Sequence, residues 1–451
     1  MNIVQITPGA GGMYCGGCFR DNALVAALRR LGHETLMLPL YLPLTLDEAD
    51  QSAGTPIFFS GVNVYLEQKF PWFRRAPDWL HRALASPGLL KLLGGMAGQT
   101  RAEEVGELTL SMLRGEEGNQ AREVNELVGW LKANHRCDLL SLSNVLLAGM
   151  ARRLKEELRA PIVCMLQGED TFLDGLPEGQ RAMAWKILSE RTRDIDLFIA
   201  PSRYFGDLMA RRLHLPAERV RVVHNGINLE GFSNTQTSNI ESRLNRETSN
   251  TEPILGYFAR MCPEKGLALA VDVFIELRKR GCVPNLKLRV GGGCGPGDEP
   301  FVEEQRGRLE AARLLNDATF FPNVSRAEKI SFLQSLDVFC TPALYGEAFG
   351  LYVIEAMASG VPVVQPRHAA FPEIVEATGG GLIAEPNASA LAGAVESLFL
   401  NPERARSLGE TGRTAVLQHF SVQRMAEGVL NVYREAARSS SQLSTLNPQP
   451  T

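Results

Sequence analysis

The chain has 451 residues, 45% of them hydrophobic and 22% charged, which is apolar material for two cores and far from the composition of a disordered chain. Its 47 basic residues against 51 acidic ones leave a formal charge of -4, so there is no global positive field of the kind a general nucleic-acid binder needs. The eight cysteines are scattered, several inside apolar runs such as IVCML and DVFC, and read as small core residues rather than a disulfide framework.

The start, MNIVQITPGAGG, has no charged region leading into an apolar segment, and no uncharged apolar run reaches the length of a membrane span, so a cytoplasmic protein is expected. NIVQI reads as a first strand, followed by GGMYCGGCFR at 11–20, a helix near 20–31 and a strand at TLML. Cys15 and Cys18 open that helix with the spacing of a redox motif, and a helix N-terminus lowers a thiol pKa. A zinc site needs about four ligands, and no second ligand pair at zinc-like spacing lies nearby, so no metal is expected.

Residues 66–135 break the strand–helix rhythm and read as helices inserted into the first domain. Within 69–101, Lys69, Arg74, Arg75, Arg82, Lys91 and Arg101 are interleaved with Phe70, Trp72, Phe73 and Trp79. Two readings stand: a basic, aromatic helix touching a membrane surface, or an amphipathic pair covering the core. The rhythm returns with DLLSL, PIVCML, DLFIA and VRVVH and stops at Phe232, which sets a first domain over 1–232.

SNTQTSNIESRLNRETSNTE, at 233–252, carries no aromatic residue and is expected to be a polar linker or loop. A second domain then spans 253–420, with strands ILGYFA, LKLRVGG, ATFF, DVFCT, VPVVQ and GLIA. A helix near 421–437 is expected to pack back on the first domain, and the Ser/Pro/Gln-rich tail 438–451 to be disordered. The predicted class is α/β: two Rossmann-like, doubly wound parallel-sheet domains facing a cleft, with ligands at the carboxyl ends of the strands.

The most informative stretch is YGEAFGLYVIEAMASGVPVVQP. A Gly-bounded helix is predicted from Gly350 to Gly360, with Glu347 in the loop before it and Glu355 inside it. Eight steps of about 100° leave the two acids roughly 80° apart, so their roles must differ. The backbone amides of Phe349, Gly350 and Leu351 favour an anion beside Glu347. Glu355 is either the acceptor for a vicinal diol such as a ribose, or a solvated helix residue. Upstream, ILGYFARMCPEKGLALAV places Arg260 at a strand end and Lys265 before a helix, two cations suited to a diphosphate. VGGGCGPGD at 290–298, with Gly291 and Gly292, lacks the pattern of a dinucleotide fingerprint and is also explained by a tight turn. In PIVCMLQGEDTFL, Glu169 and Asp170 either hold hydroxyls or form an exposed acidic turn, and Asn225-Gly226 reads as a turn after a strand.

The frame FG…EAMA.G.PVV with its spaced glutamates, together with R..PEKG, resembles the retaining family-4 glycosyltransferases of the GT-B architecture, closely over 253–400 and more weakly over 1–232. The resemblance implies that Glu347 binds the donor sugar near the reacting centre and Glu355 the nucleotide ribose. It implies that Gly9, Gly11 and Gly12 form a loop over the donor phosphates and that Gly291 and Gly292 let backbone approach the nucleotide. Relatives often carry His where this chain has Gln167, which supplies no titrating imidazole, so acceptor-side detail does not carry over. The expected activity is retaining transfer from a nucleotide-diphosphate sugar to an acceptor hydroxyl, with no metal and no cofactor. The expected partners are that donor and an unidentified hydroxyl acceptor, with no nucleic acid and with peripheral contact to the cytoplasmic face of a membrane through 69–101. The rivals are a nucleotide-sugar epimerase of the same architecture, and a redox or non-catalytic protein using Cys15 and Cys18.

Overall fold

The computed structural model describes residues 1–9, 16–44, 46, 48–59, 66, 102–232 and 252–446, with side chains within 102–104 and 440–446 left aside. The first sheet contains β1 (Asn2–Thr7), β2 (Glu34–Pro39), β3 (Leu139–Leu142), β4 (Ile162–Met165), β5 (Leu197–Ala200) and β6 (Val220–Val222). The second contains β7 (Ile254–Phe258), β8 (Lys287–Gly292), β9 (Ala318–Pro322), β10 (Val338–Phe339), β11 (Val363–Pro366) and β12 (Gly381–Ala384). Every strand pair is parallel. The short runs LLSL, IVCM and LFIA are buried at every position, as strands covered by helices on both faces must be.

The strand order of the second sheet, β12-β11-β10-β7-β8-β9, is that of a Rossmann sheet, and the order in which strands are added reverses between β7 and β10. The first sheet, β2-β1-β3-β4-β5-β6, reverses between β1 and β3. In open parallel sheets these reversal points are where the strand ends leave a crevice for a ligand.

The chain forms two compact units, Met1–His224 with Met425–Thr451, and Asn225–Arg424. The break falls before Phe232, because residues 225–232 bury their apolar side chains in the second unit: Phe232 is fully buried and Ile227 is 7% exposed in its core. Ile227 also donates its amide to the Phe420 carbonyl at 2.9 Å and accepts from the Val422 amide at 2.8 Å. Gly226 is required there, since a Cβ would lie 2.2 Å from the Ser421 carbonyl oxygen.

The C-terminal helix is longer than the sequence suggests. It runs Val422–Leu446 rather than ending near 437, so the tail begins as helix, and 447–451 lie outside the described residues. ARSSSQLSTL holds neither Gly nor Pro, and the first breaker is Pro448, which disfavours helix at the residue before it. The helix buries Met425, Ala426, Val429, Tyr433 and Ala436, one stripe at helical spacing. In the first unit Tyr433 donates to Ser141 Oγ at 2.7 Å and Arg221 pairs with Glu435. Of the expected insertion, Ala102–Arg114 and Ala121–Asn134 are helices burying Leu113, Val124, Leu127 and Leu131. The basic stretch expected to touch a membrane, 69–101, and residues 233–251 of the expected linker lie outside the described residues.

Candidate active site

The site in the second unit is built where β7 ends. After Phe258 the chain turns through Ala259–Gly266, and buried Tyr257 holds that turn from below, its hydroxyl 3.1 Å from the Arg260 carbonyl and 3.2 Å from that of Lys265. Burial pushes the Tyr257 phenol well above its ordinary pKa, so it stays a neutral donor. Gly266 closes the turn at φ 76°, and any Cβ there would lie 2.2 Å from the Pro342 carbonyl oxygen. Lys265 is thereby fixed immediately before the helix Leu267–Arg280.

Lys265 Nζ donates to Glu347 Oε2 at 2.8 Å and also meets the Tyr345 hydroxyl. Tyr345 and Tyr352 donate to the same Oε2 at 2.7 and 2.8 Å. Burial alone would raise the Glu347 carboxyl, but the Lys265 ammonium and the hydrogen bonds from Lys265, Tyr345 and Tyr352 hold it below the ordinary range. Glu347 is thus a buried carboxylate kept ionised, with its charge anchored through one oxygen. Tyr352 is driven the other way, by burial first and by the neighbouring Glu347 charge.

Glu347 stands outside the helix, which spans Leu351–Ala358, so its separation from Glu355 is not a helical angle. What separates the two acids is the cation each one meets. Glu355, one turn inside the helix, accepts at Oε1 from Lys329 Nζ at 2.8 Å, with side chains only 13% and 6% exposed. It is therefore not a solvated helix residue. Gly350 supplies the N-terminal cap at φ 88° with no side chain to satisfy the first amides, so those of Gly350 and Leu351 have no partner within the helix. Phe349 is 2% exposed with its ring 6.2 Å from Phe420, so only its backbone can serve a ligand.

Arg260 forms a two-pronged pair with Asp298, Nε at 3.0 Å and Nη2 at 2.9 Å, while more than half of its own side-chain surface stays exposed. Hydrogen bonding to Asp298 raises its pKa further, so it is a fixed, permanently charged group. Asp298 also takes the Gly295 amide at 3.0 Å, tying Arg260 to the Gly-rich run. Asn323 clasps that run from the end of β9, donating to the Cys294 carbonyl at 2.8 Å and accepting from its amide at 2.9 Å. Gly291 and Gly292 are needed by packing: a Cβ on Gly292, at φ 132°, would lie 1.8 Å from the Ala259 carbonyl oxygen, and one on Gly291 2.7 Å from the Phe258 ring. Beside this corner is an open pocket of about 560 Å³ lined by Met261, Cys294, Val302, Arg306, Phe320 and Asn323.

In the first unit, Glu169 and Asp170 are buried, 4% and 6% exposed, and do not form an exposed acidic turn. Glu169 accepts the Val145 amide at 3.0 Å and the Gln167 amide at 2.7 Å, one on each oxygen, so it stitches the loops after β3 and β4. Burial raises the pKa of both carboxyls against the pull of backbone amides. Gly9 sits at φ 76°, where a Cβ would lie 2.0 Å from the Leu42 carbonyl oxygen, while Gly11, Gly12 and Cys15 lie outside the described residues. Cys18 is 2% exposed inside the helix Gly16–Arg30.

Sequence reasoning missed Lys329, Tyr345 and Tyr352, and it missed a buried cluster at the β1/β3 reversal, where Asp21 takes Thr7 Oγ1 at 2.8 Å and pairs with Arg20 and Ser143. The only sequence signal for the tyrosines is their closeness to Glu347. Among the described residues, no group of three or more His, Cys, Asp or Glu is arranged to hold a metal ion, and no helix is long and apolar enough to cross a membrane.

Residues 239–415 match the family model "Glycosyl transferases group 1", and residues 98–230 match "Glycosyltransferase Family 4". The chain is 29% identical over 239 residues to the phosphatidyl-myo-inositol mannosyltransferase of Mycobacterium leprae, an alignment covering 52% of this chain and 59% of that protein. The chain thus spans about three-fifths of the length of that curated relative. Its fold is that of the sucrose-phosphate synthase of Thermosynechococcus elongatus, with a TM-score of 0.69 at 19% identity over 97% of this chain and 100% of the other. Anabaena HepE, solved in complex with UDP and glucose, gives a TM-score of 0.66 at 17% identity over 96% of this chain and 100% of the other. From the paired family matches and the two Rossmann-like sheets, the chain belongs to the family-4 glycosyltransferases of GT-B architecture.

Proposed function

We infer that the chain transfers a glycosyl group from a nucleoside-diphosphate sugar to an acceptor hydroxyl, with retention at the anomeric carbon. The observation that carries this reading is the join of Lys265 to Glu347 at 2.8 Å, with Arg260 on the same turn after β7. A departing diphosphate develops negative charge, and two fixed cations beside uncapped helix amides stabilise it where it forms. Arg260 and Lys265 carry the neutralisation that a divalent cation supplies in other transferases, so the reaction needs no metal and no cofactor.

The remaining roles follow from position. Glu347, held through Oε2, presents its other oxygen to the donor sugar, and its negative charge favours the positive charge that grows at the anomeric carbon as the bond to phosphate breaks. The phosphate oxygen released on that face takes the acceptor proton. The amides of Phe349, Gly350 and Leu351 receive the phosphates, Glu355 the ribose diol, and Gly291 and Gly292 border the nucleotide. For the first unit, the family resemblance assigns Gly9, Gly11 and Gly12 to the donor phosphates, and Glu169 with Asp170, beside Gln167, to the acceptor hydroxyl. The mannosyltransferase relative, whose name carries a phosphatidylinositol acceptor, favours a lipid-borne hydroxyl here, with 69–101 as its membrane contact.

The experiment is donor cleavage with a panel of nucleoside-diphosphate sugars, with and without candidate acceptors, read as released nucleoside diphosphate and as anomeric configuration of the product. Release that depends on Glu347 and on acceptor supports the reading. An isomerised nucleotide sugar formed without acceptor assigns the epimerase instead.

A further inference from the structure

Lys329 is a charged side chain set in an apolar row. It lies on the helix Arg326–Gln334 with Ile330, Phe332 and Leu333, all buried, and is itself only 4% exposed. The N-terminus of that helix carries its own capping box, Ser325 with Glu328. Taking an ammonium out of water is costly, and an apolar side chain of similar volume fills such a slot at least as well. The ammonium reaches across to the next helix, where it donates to Glu355 Oε1 at 2.8 Å.

The consequence is a carboxylate fixed through one oxygen with the other left over. Among the described residues Glu355 Oε2 accepts no hydrogen bond, and the side chain keeps 13% of its surface exposed. A lone glutamate on a helix samples several rotamers and gives up that freedom when it binds. Pinned by Lys329, this one holds a single orientation before any ligand arrives. Glu355 stands four residues beyond Leu351, about 6 Å along the helix from the uncapped amides. That rise is comparable to the reach from a nucleotide's phosphates to its ribose hydroxyls.

We propose that Lys329 is a positioning residue that pre-orients Glu355 Oε2 toward the 2′- and 3′-hydroxyls and thereby makes the donor site selective for ribonucleotides over deoxyribonucleotides. This rests on the reading of Glu355 as the ribose ligand. A hydrogen bond between a hydroxyl and a carboxylate that cannot reorient toward water is lost outright when the hydroxyl is missing, which corresponds to about a 10- to 100-fold preference.

The test is equilibrium binding of ribonucleoside 5′-diphosphates and their 2′-deoxy and 3′-deoxy counterparts to the full chain, as wild type, Lys329→Met, Lys329→Gln, Lys329→Arg and Glu355→Gln. The quantity read is the ratio of ribo to deoxy affinity within each protein, which a merely structural defect or a misfolded fraction leaves unchanged. The expected result is a preference of about 10-fold or more in wild type, reduced to less than a third of that in Lys329→Met and Glu355→Gln, and largely kept in Lys329→Arg. If Lys329→Met fails to fold, Lys329→Gln carries the same expectation. A wild-type preference that survives intact in the Met or Gln variant overturns the role of Lys329 alone. Equal binding of ribo and deoxy forms by wild type overturns the ribose role of Glu355 and the proposal with it, while the absence of any nucleoside-diphosphate binding overturns the donor reading itself.

Discussion

Lys265 Nζ and Glu347 Oε2 lie 2.8 Å apart, joining the turn after β7 to the loop before the helix Leu351–Ala358. The pair is mostly buried, with side-chain exposures of 25% and 10%, so removing one partner strands the other. Lys265→Met is expected to lower stability by about 3 kcal/mol and to reduce donor turnover by at least about 100-fold. Urea unfolding and a turnover assay check both. A variant with wild-type turnover would remove Lys265 from the chemistry.

The depressed Glu347 carboxyl links stability to pH. Its folded value lies below the ordinary 4.5, so between the two values the unfolded chain binds more protons than the folded one. Its stabilisation is complete above about pH 4.5 and is lost as the pH falls through the folded value. Tyr352→Phe removes one donor from Oε2, moves the folded value up toward 4.5 and so shrinks the acid-labile contribution. Unfolding free energies of the two proteins across this window are expected to fall less steeply with acid in the variant, and superimposable curves would contradict the assignment.

The clasp between Asn323 and Cys294 makes the Gly-rich run rigid through two hydrogen bonds. Asn323→Ala is expected to cost about 1–2 kcal/mol and to weaken donor affinity more than the turnover of bound donor, because the run carries Asp298, the partner of Arg260. Separate determination of KM and kcat decides it, and a loss confined to kcat speaks against the clasp.

Gly292→Ala is expected to be the most damaging single methyl in the second unit's strand ends. The added carbon would lie 1.8 Å from the Ala259 carbonyl at a φ of 132° that side chains rarely adopt. Circular dichroism and melting temperature are expected to show a loss of more than about 3 kcal/mol, whereas a fold of unchanged stability would mean that β8 and the β7 exit do not pass this closely.

Much of this architecture is legible in the residues because its signals are local. Buried parallel strands write themselves as short apolar runs, and LLSL, IVCM and LFIA each became a strand. The helix after Gly350 was readable from its bounding glycines, both of which adopt positive φ. What escaped depends on partners distant in sequence. Nothing beside Lys329 points to Glu355, 26 positions on. Glu169 and Asp170 look like a surface turn until the loops after β3 and β4 cover them. The helix end at Leu446 was missed because a Ser-rich composition reads as tail, although without Gly or Pro nothing there forces the helix to stop.

Arg260 and Lys265 are the proposed cradle for a nucleoside diphosphate. Thermal unfolding of wild type and of the Arg260→Ala, Lys265→Ala double variant, each with a panel of nucleoside diphosphates and their sugars, tests it most directly. At a ligand concentration near 100 times its dissociation constant, the matching donor is expected to stabilise wild type by about 2.7 kcal/mol and the double variant hardly at all. A double variant stabilised as strongly as wild type, or a wild type that no nucleoside diphosphate stabilises, contradicts the account.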